Sequence, residues 1–406
     1  MNFSRYILAI LLCGAVASHV QAESPEADHR SAARMAVQKY MLIDTHIDVP
    51  YRLEEEWEDV TKATEEGDFD YERARDGGLD IPFMSIYTPG ESEAEGSSYQ
   101  LANRLIDSVE AMVGRAPEKM MLVKSSNDAV IAHQQGLMGL AMGMENGSPI
   151  DGKLENLAFF KDRGISYITL AHGLSNHLSD SSYDEERKWN GLSPFGKEAV
   201  AEMNRLGIMI DISHVTDEAF YQVLDLSKVP VIASHSSARH FTPGFERNMS
   251  DEMIKALAAN GGVIQINFGS SFLTAEANDW YKTMGKARKA YLAENGFEED
   301  GKEAKMFREN WREKYPFPFA TMDQVVAHFT HVIELVGVRH VGIGSDFDGV
   351  GNSLPDGLKD VSAYPNLIEE LLRLEYSLQD IEAIMGGNLM RVWRAVEAYA
   401  ASAGSS

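Results

Sequence analysis

Six stretches of this chain end an apolar run on an acid or a histidine, and their chemistry can be read before any fold is assumed. Asp44-Thr45-His46-Ile47-Asp48 sets an imidazole and a carboxylate two residues apart. In an extended chain residues i and i+2 point to the same side, so His46 and Asp48 can ligate one divalent ion. An ordinary strand-end hydrogen-bonding pair would look the same. Glu145 closes the run Gly143-Met144-Glu145. A buried carboxylate needs a partner, which can be an Arg or Lys, or two metal ions bridged by one oxygen each. His214, in Asp211-Ile212-Ser213-His214, and His235, in Ala233-Ser234-His235, close successive runs. Neighbouring strands lie about 4.8 Å apart, so both rings can reach one ion. Taken together these five residues count out two ions sharing Glu145, with zinc the default for nitrogen and oxygen ligands that leave positions open.

Two ions about 3.5–4 Å apart can hold a hydroxide between them and polarise a carbonyl oxygen, but a base must still take and return the proton. Asp346, in Gly344-Ser345-Asp346-Phe347-Asp348-Gly349, ends the last apolar run and ranks ahead of Asp348, which falls in the following loop. His172, in Leu170-Ala171-His172-Gly173, is left over once the two ions are supplied. It suits a donor to the oxyanion of a tetrahedral intermediate, with a structural role as the alternative. Other histidines look bland: His328 and His331 share a helical spacing, His340 precedes a run, and His133 falls in a surface connection.

The elements that must position these groups are eight short β-rich runs at 41–48, 79–87, 136–145, 165–172, 208–214, 229–235, 262–268 and 341–346. Amphipathic segments at 98–113, 194–206 and 250–259 alternate with them. Buried strands alternating with helices imply a parallel sheet covered on both faces, and eight of them imply an α/β fold of the (β/α)8 TIM-barrel type. In such a barrel the active site is assembled where the strands end, which is where the acids and histidines fall. An acid-rich loop at 180–188 is placed to overhang that rim, and a charged helical insertion at 270–319 separates the seventh run from its return helix. With no internal repeat or long linker, residues 23–406 read as one domain.

Composition narrows the function class. The 406 residues are 44% hydrophobic and 24% charged, an ordinary globular balance that excludes collagen-like and wholly disordered chains. A net charge of −25 repels phosphate backbones and anionic lipid, so nucleic-acid and membrane-surface partners are not expected. Residues 1–22 read as a signal peptide, with Arg5, an apolar run at 6–17 and Val20-Gln21-Ala22 before the cut. The run is too short to span a bilayer, and the tail has no hydrophobic anchor segment. The single cysteine, Cys13, leaves with the leader, so the mature chain has no thiol and any metal must use His, Asp and Glu. These features together describe an exported, periplasmic protein with no stable membrane anchor.

Over residues 41–398 the chain resembles the membrane (renal) dipeptidase family of zinc peptidases. The resemblance is strongest at 43–50, 164–172, 191–215, 234–238 and 340–350. It implies a (β/α)8 barrel, often dimeric, with two zinc ions bridged by Glu145: His46 and Asp48 complete the first set, His214 and His235 the second. By the same resemblance His172 binds substrate and stabilises the transition state, Arg247 binds the terminal carboxylate of a dipeptide, and Asp346 shuttles the proton. The residues alone give Arg247 no such claim. Many members accept a D-residue on the C-terminal side, and some relatives open β-lactam rings. Departures occur at Asn146, where the motif more often reads Glu-Gly-Gly, around 177–183 and in the 270–319 insertion.

The sequence therefore predicts a zinc-dependent dipeptidase acting by attack of a metal-bridged hydroxide. A second possibility is another binuclear hydrolase on the same barrel: a deaminase, lactonase, phosphotriesterase or β-lactam hydrolase. Some of those bridge their metals with a carboxylated lysine, which the run at 165–172 does not offer at its end. A third is an exported zinc- or peptide-binding protein without catalysis, against which the presence of Asp346 and His172 argues.

Overall fold

Nine strands organise the described residues: β1 (Leu42–Ile47), β2 (Leu79–Tyr87), β3 (Met120–Leu122), β4 (Met138–Glu145), β5 (Ile165–Thr169), β6 (Met209–Asp211), β7 (Ile232–Ser236), β8 (Val263–Ile266) and β9 (Val341–Ile343). The computed structural model describes residues 25–298 and 301–403, so the leader, its cleavage point and Cys13 lie outside the described residues. Eight strands run parallel in the order β1-β2-β4-β5-β6-β7-β8-β9, and β3 pairs with β4 off that path. The ring closes just past β9: the Asp48 amide donates to the Phe347 carbonyl (2.9 Å) and the Asp346 amide to the His46 carbonyl (3.1 Å). Barrel closure and the candidate site thus use the same backbone.

Inside the ring, Ile43, Ile81, Phe83, Ala141, Tyr167, Met209, Ile232 and Val263 form one apolar cluster with Trp393. Trp393 belongs to the C-terminal helix Asn388–Ala403, whose Asn388 amide donates to the Val338 and Val341 carbonyls at the start of β9. That helix plugs the end opposite the strand C-termini. A larger cluster lies between the outward-facing strand residues and the surrounding helices, where Leu101, Leu105, Val200, Met203, Ile254 and Phe329 are buried. Helix Pro194–Leu206 shows how the sequence sets these elements: Ser193 caps its N-terminus by accepting from the Gly196 amide, Pro194 opens its first turn, and Gly207 ends it at φ +72°.

All eight expected runs are strands, but several are shorter than the apolar pattern suggested. The runs through His214 and Asp346 stop at Asp211 and Ile343, and His214 and Asp346 themselves adopt φ +69° and +65°, outside strand geometry. The run through His172 stops at Thr169. The three-residue β3 was not anticipated. His133 is corrected from a connection to helix Ser126–Gln135, where its ring pairs with Asp80 at 3.2 Å. The insertion consists of helices Ser270–Leu273, Ala275–Asn295 and Lys302–Lys314, after which a Thr321–Gln324 capping box starts the return helix Met322–Val336. Among the described residues no helix is long and apolar enough to cross a membrane.

Candidate metal centre and active site

Glu145, the last residue of β4, stands at the middle of the rim. His46 Nε2 lies 3.3 Å from its Oε2, while His214 Nε2 and His235 Nε2 lie 3.1 and 3.2 Å from its Oε1. Asp48 Oδ2 is 3.4 Å from the same His46 nitrogen. His172 Nε2 approaches Oε1 at 3.5 Å, and the Ser85 hydroxyl donates to Oε2 at 3.2 Å. The two carboxylate oxygens therefore face two separate donor groups, His46 with Asp48 and His214 with His235.

The protonation of these rings follows from what lies behind them. The Tyr167 hydroxyl donates to the Thr45 carbonyl (2.8 Å), so toward His46 Nδ1, also at 2.8 Å, it can only accept. His46 thus presents an Nδ1–H to Tyr167, while its buried Nε2, which has no hydrogen-bond partner, faces the carboxylates. Against the opposing effect of burial, Tyr167, Glu145 and Asp48 raise this ring well above the usual histidine range, so a bound metal ion would take the place of the Nε2 proton. His235 is held likewise: Ser234 Oγ donates to Asp211 Oδ2 (2.6 Å) and accepts from His235 Nδ1 (2.7 Å). Burial, then the charge of neighbouring cations, holds His214 and His235 well below the usual histidine range, so both are neutral. Yet their Nε2 atoms stand only 2.8 Å apart. Lone pairs from neutral rings converging on one carboxylate oxygen, beside an orphaned buried Nε2, fit a metal ion on each side of Glu145.

Two buried acids fasten the histidine-bearing turns. Asp44 Oδ1 accepts from the amides of His46 and Ser345, and its Oδ2 from Tyr364 (2.6 Å). Asp211 Oδ1 accepts from the amides of Ser213 and Ser234, and its Oδ2 from Thr169. Neither acid was singled out by sequence reasoning, although each lies two residues before an amide it accepts, the spacing of an Asx turn. Tyr167 was missed as well, because a tyrosine in an apolar strand carries no signal of its own. It reaches His46 by crossing β4 at Gly143, where a Cβ would fall 1.9 Å from its ring.

Asp346 joins the centre on the Asp48 side. The two carboxylates crowd Gly349, where an added Cβ would meet Asp48 Oδ2 at 2.2 Å and Asp346 Oδ1 at 2.3 Å. Asn267 donates to Asp346 Oδ2 at 2.6 Å. Burial, and then the charges of Asp48 and Glu145, push the Asp346 carboxyl up to about 8. Three carboxylates converging at a buried rim are a site that wants cations.

His172 is less enclosed, its ring packed edge-on to Tyr87 and 4.2 Å from the His214 ring. The loop between β5 and helix Pro194–Leu206 does overhang the rim. The Ser182 amide donates to the His214 carbonyl (2.7 Å), and Tyr183 lies 5.7 Å from the His214 ring. Arg247 is buried behind His235, donating to its carbonyl and to Ser236 Oγ, both at 2.7 Å. No described carboxylate comes within ion-pair distance of it, and its Nε is buried without a partner. Away from the rim, His328 accepts from the Ala238 amide and donates to the Leu273 carbonyl, and His340 bonds Gly262 at the far end of the barrel.

A family model described as membrane dipeptidase (peptidase family M19) matches residues 30–406. The chain is 31% identical over 385 residues to the uncharacterized dipeptidase C965.12 of Schizosaccharomyces pombe, covering 88% of this chain and 81% of that protein. It is 31% identical over 377 residues to dipeptidase 3 of Mus musculus, covering 91% and 67%. Among solved structures, the probable dipeptidase PvdM from Pseudomonas aeruginosa superposes with a TM-score of 0.77 at 24% identity, over 93% of this chain and 100% of that one. A metallo peptidase from Rhodobacter sphaeroides, liganded with a phosphinate mimic of the dipeptide L-Ala-D-Ala, gives 0.73 at 22% identity, over 88% and 99%. These structures share the barrel. The chain belongs to the membrane dipeptidase family, peptidase family M19, and is a metal-dependent dipeptidase on a TIM-type barrel.

Proposed function

We propose that the enzyme holds two zinc ions, one by His46, Asp48 and Glu145 and the other by Glu145, His214 and His235, and hydrolyses dipeptides with an L-residue first and an L- or D-residue second. The observation that carries this reading is the division of Glu145, with Oε2 toward His46 and Oε1 toward His214 and His235. Two such ions, when bound, acidify water and polarise a carbonyl oxygen.

The chain's own residues supply the rest. Asp346 takes the proton of the attacking water and returns it to the leaving amine; Asn267 holds one of its oxygens so that the other faces Asp48. His172, one side exposed and its Nε2 turned to the rim, donates to the developing oxyanion. Arg247 spends two of its five N–H groups on Ser236 and His235, and the buried Nε–H among those remaining can meet a carboxylate. A buried cation without a carboxylate partner favours a substrate that brings its own. That favours a free peptide C-terminus over the neutral substrates of a deaminase, lactonase or phosphotriesterase. We read the mature enzyme as exported to the periplasm on the strength of its leader, and as the homodimer that the resemblance implies.

The test is amino-acid release from a panel of L,L and L,D dipeptides, with His214→Ala alongside and zinc content measured on both. Metal-dependent release, lost in the variant, supports the proposal, and the panel pattern gives the stereochemical preference. Two zinc ions per chain with no release from any dipeptide would leave the metal centre standing and remove the substrate reading.

A further inference from the structure

A second cluster of metal-ligating side chains lies on the outside of the barrel, sharing no residue with the rim. His240 sits in the turn Arg239–Phe241, Asp251 opens helix Asp251–Ala259, and His331 lies on helix Met322–Val336. One donor atom from each falls within 4.8 Å of the others. His331 Nε2 is 2.8 Å from Asp251 Oδ1, and the His240 and His331 rings stack at 4.4 Å and 25°. We propose that His240, Asp251 and His331 form a third metal site, taking a borderline divalent ion such as Zn2+ or Ni2+ with water in its open positions.

Several observations beyond proximity support the assignment. The three donors come from three elements whose backbones are fixed. The Arg239 guanidinium holds the His240 turn through a two-point ion pair to Asp217 (2.6 and 2.7 Å), and its Nε donates to the Asn248 carbonyl. The Phe241 ring packs 4.4 Å from His328 and 5.5 Å from His331, which locks the turn against the long helix. Asp251 is set by the Ser250 cap of its own helix. The His240 ring makes no hydrogen bond to a described residue, so a lone pair is free for a ligand role, and its exposure leaves room for water. Two ligands of one tetrahedral zinc stand about 3.3 Å apart at ordinary zinc–nitrogen lengths, so the 2.8 Å contact needs to open only slightly, while the exposed His240 ring must turn out of its stack on His331 to aim a lone pair at the same ion.

Charge favours a cation there. His331 also lines a cavity of about 340 Å³ together with Asp323, Glu334 and Glu370. Three carboxylates around one opening draw divalent ions toward the imidazoles. The donor set, two imidazoles and one carboxylate, suits nickel, copper and zinc better than calcium or magnesium. If the cluster were only an ion pair with a stacked neighbour, it would be indifferent to such ions.

The decisive experiment uses the metal-replete enzyme at constant activity, titrated calorimetrically with Ni2+. Wild type is expected to take up one further equivalent. His240→Ala and His331→Ala should each lose it or bind at least tenfold more weakly, and Asp251→Asn should weaken it in the same direction. All three variants should keep wild-type dipeptide turnover, which also certifies their fold. Because only the difference from the variants is read, the result does not depend on how many ions the rim holds. No heat above the blank, or uptake by the two histidine variants equal to wild type, would overturn the site.

Discussion

Replacing Tyr167 by Phe tests the claim that this buried hydroxyl sets the tautomer of His46. The ring would stay where it is, stacked on Phe83 and lying over Gly143. Only two hydrogen bonds are lost: the one accepted from His46 Nδ1 and the one donated to the Thr45 carbonyl, both 2.8 Å. Each buried polar group left without a partner costs about 1–3 kcal/mol, so global stability should fall measurably without unfolding the barrel. The larger effect belongs to the metal. Without its acceptor, His46 can place its proton on Nε2 and lose its ligand lone pair, and such supporting contacts are worth about 10–100-fold in metal affinity. That is about 1.4–2.7 kcal/mol on the ion beside Asp48. Zinc occupancy should be measured across a chelator-buffered series, with Ser234→Ala as the matching probe of His235. Tyr167→Phe should weaken one ion and Ser234→Ala the other, with turnover recovering in both at saturating zinc. Zinc affinities within twofold of wild type in Tyr167→Phe would refute the tautomer argument.

Other predictions follow from the same geometry. Asp346→Asn should keep its zinc and lose about 10²–10⁴ in turnover, checked by metal analysis beside initial rates; undiminished kcat would remove Asp346 from proton transfer. Arg247→Leu should lower kcat/KM on dipeptides by about 30-fold or more, near 2 kcal/mol, and leave C-terminally amidated substrates as poor as before. Equal losses on both substrate types would show that Arg247 serves the fold instead. His328 is held down to about 4 by burial, against an ordinary 6.5, although its bond to the Leu273 carbonyl opposes the shift. The unfolded chain then binds the extra proton, so this group's stabilisation is full above pH 6.5 and falls away toward pH 4. The loss amounts to about 3 kcal/mol. An NMR titration of the His328 ring finding a midpoint near 6.5 would contradict this.

The rim was legible in the sequence because parallel strands are buried on both faces, so a charged residue ending such a run stands out against Val, Ile and Met. Strand ends therefore marked His46, Glu145, His235 and, a turn later, His172, His214 and Asp346. Arg247 gave no such mark. It lies in the irregular segment between β7 and helix Asp251–Ala259, and its meaning appears only when its guanidinium is found against the His235 carbonyl. Tyr167 and Gly143 are a pair across neighbouring strands, and a reading that proceeds along one strand cannot see that one makes room for the other. Asp44 and Asp211 could have been found, since each precedes by two residues a backbone amide at a turn that carries a ligand.

The left-handed backbone at His214 and Asp346 bears on what the overhanging loop is for. Asp and His tolerate this region better than most side chains, but a residue held there still costs about 1–3 kcal/mol unless its surroundings fix it. At Asp346 the fixing is done by the barrel itself, through the His46 carbonyl, the Gly349 amide and Asn267. At His214 it comes from outside the barrel: the Ser182 amide donates to its carbonyl, and Ser181 bridges to Val215. Ser181 in turn donates to the His172 carbonyl, and Asp180 accepts from the amides of Lys188, Trp189 and Gly191 to hold the loop's shape. The loop therefore spans the two histidines that approach Glu145 Oε1 from β5 and β6. A loop that served only substrate selection could vary freely at Ser181 and Ser182. Here removing the Ser181 hydroxyl, or the Ser182 amide by Ser182→Pro, should reach the ion held by His214 before it reaches the choice of side chain.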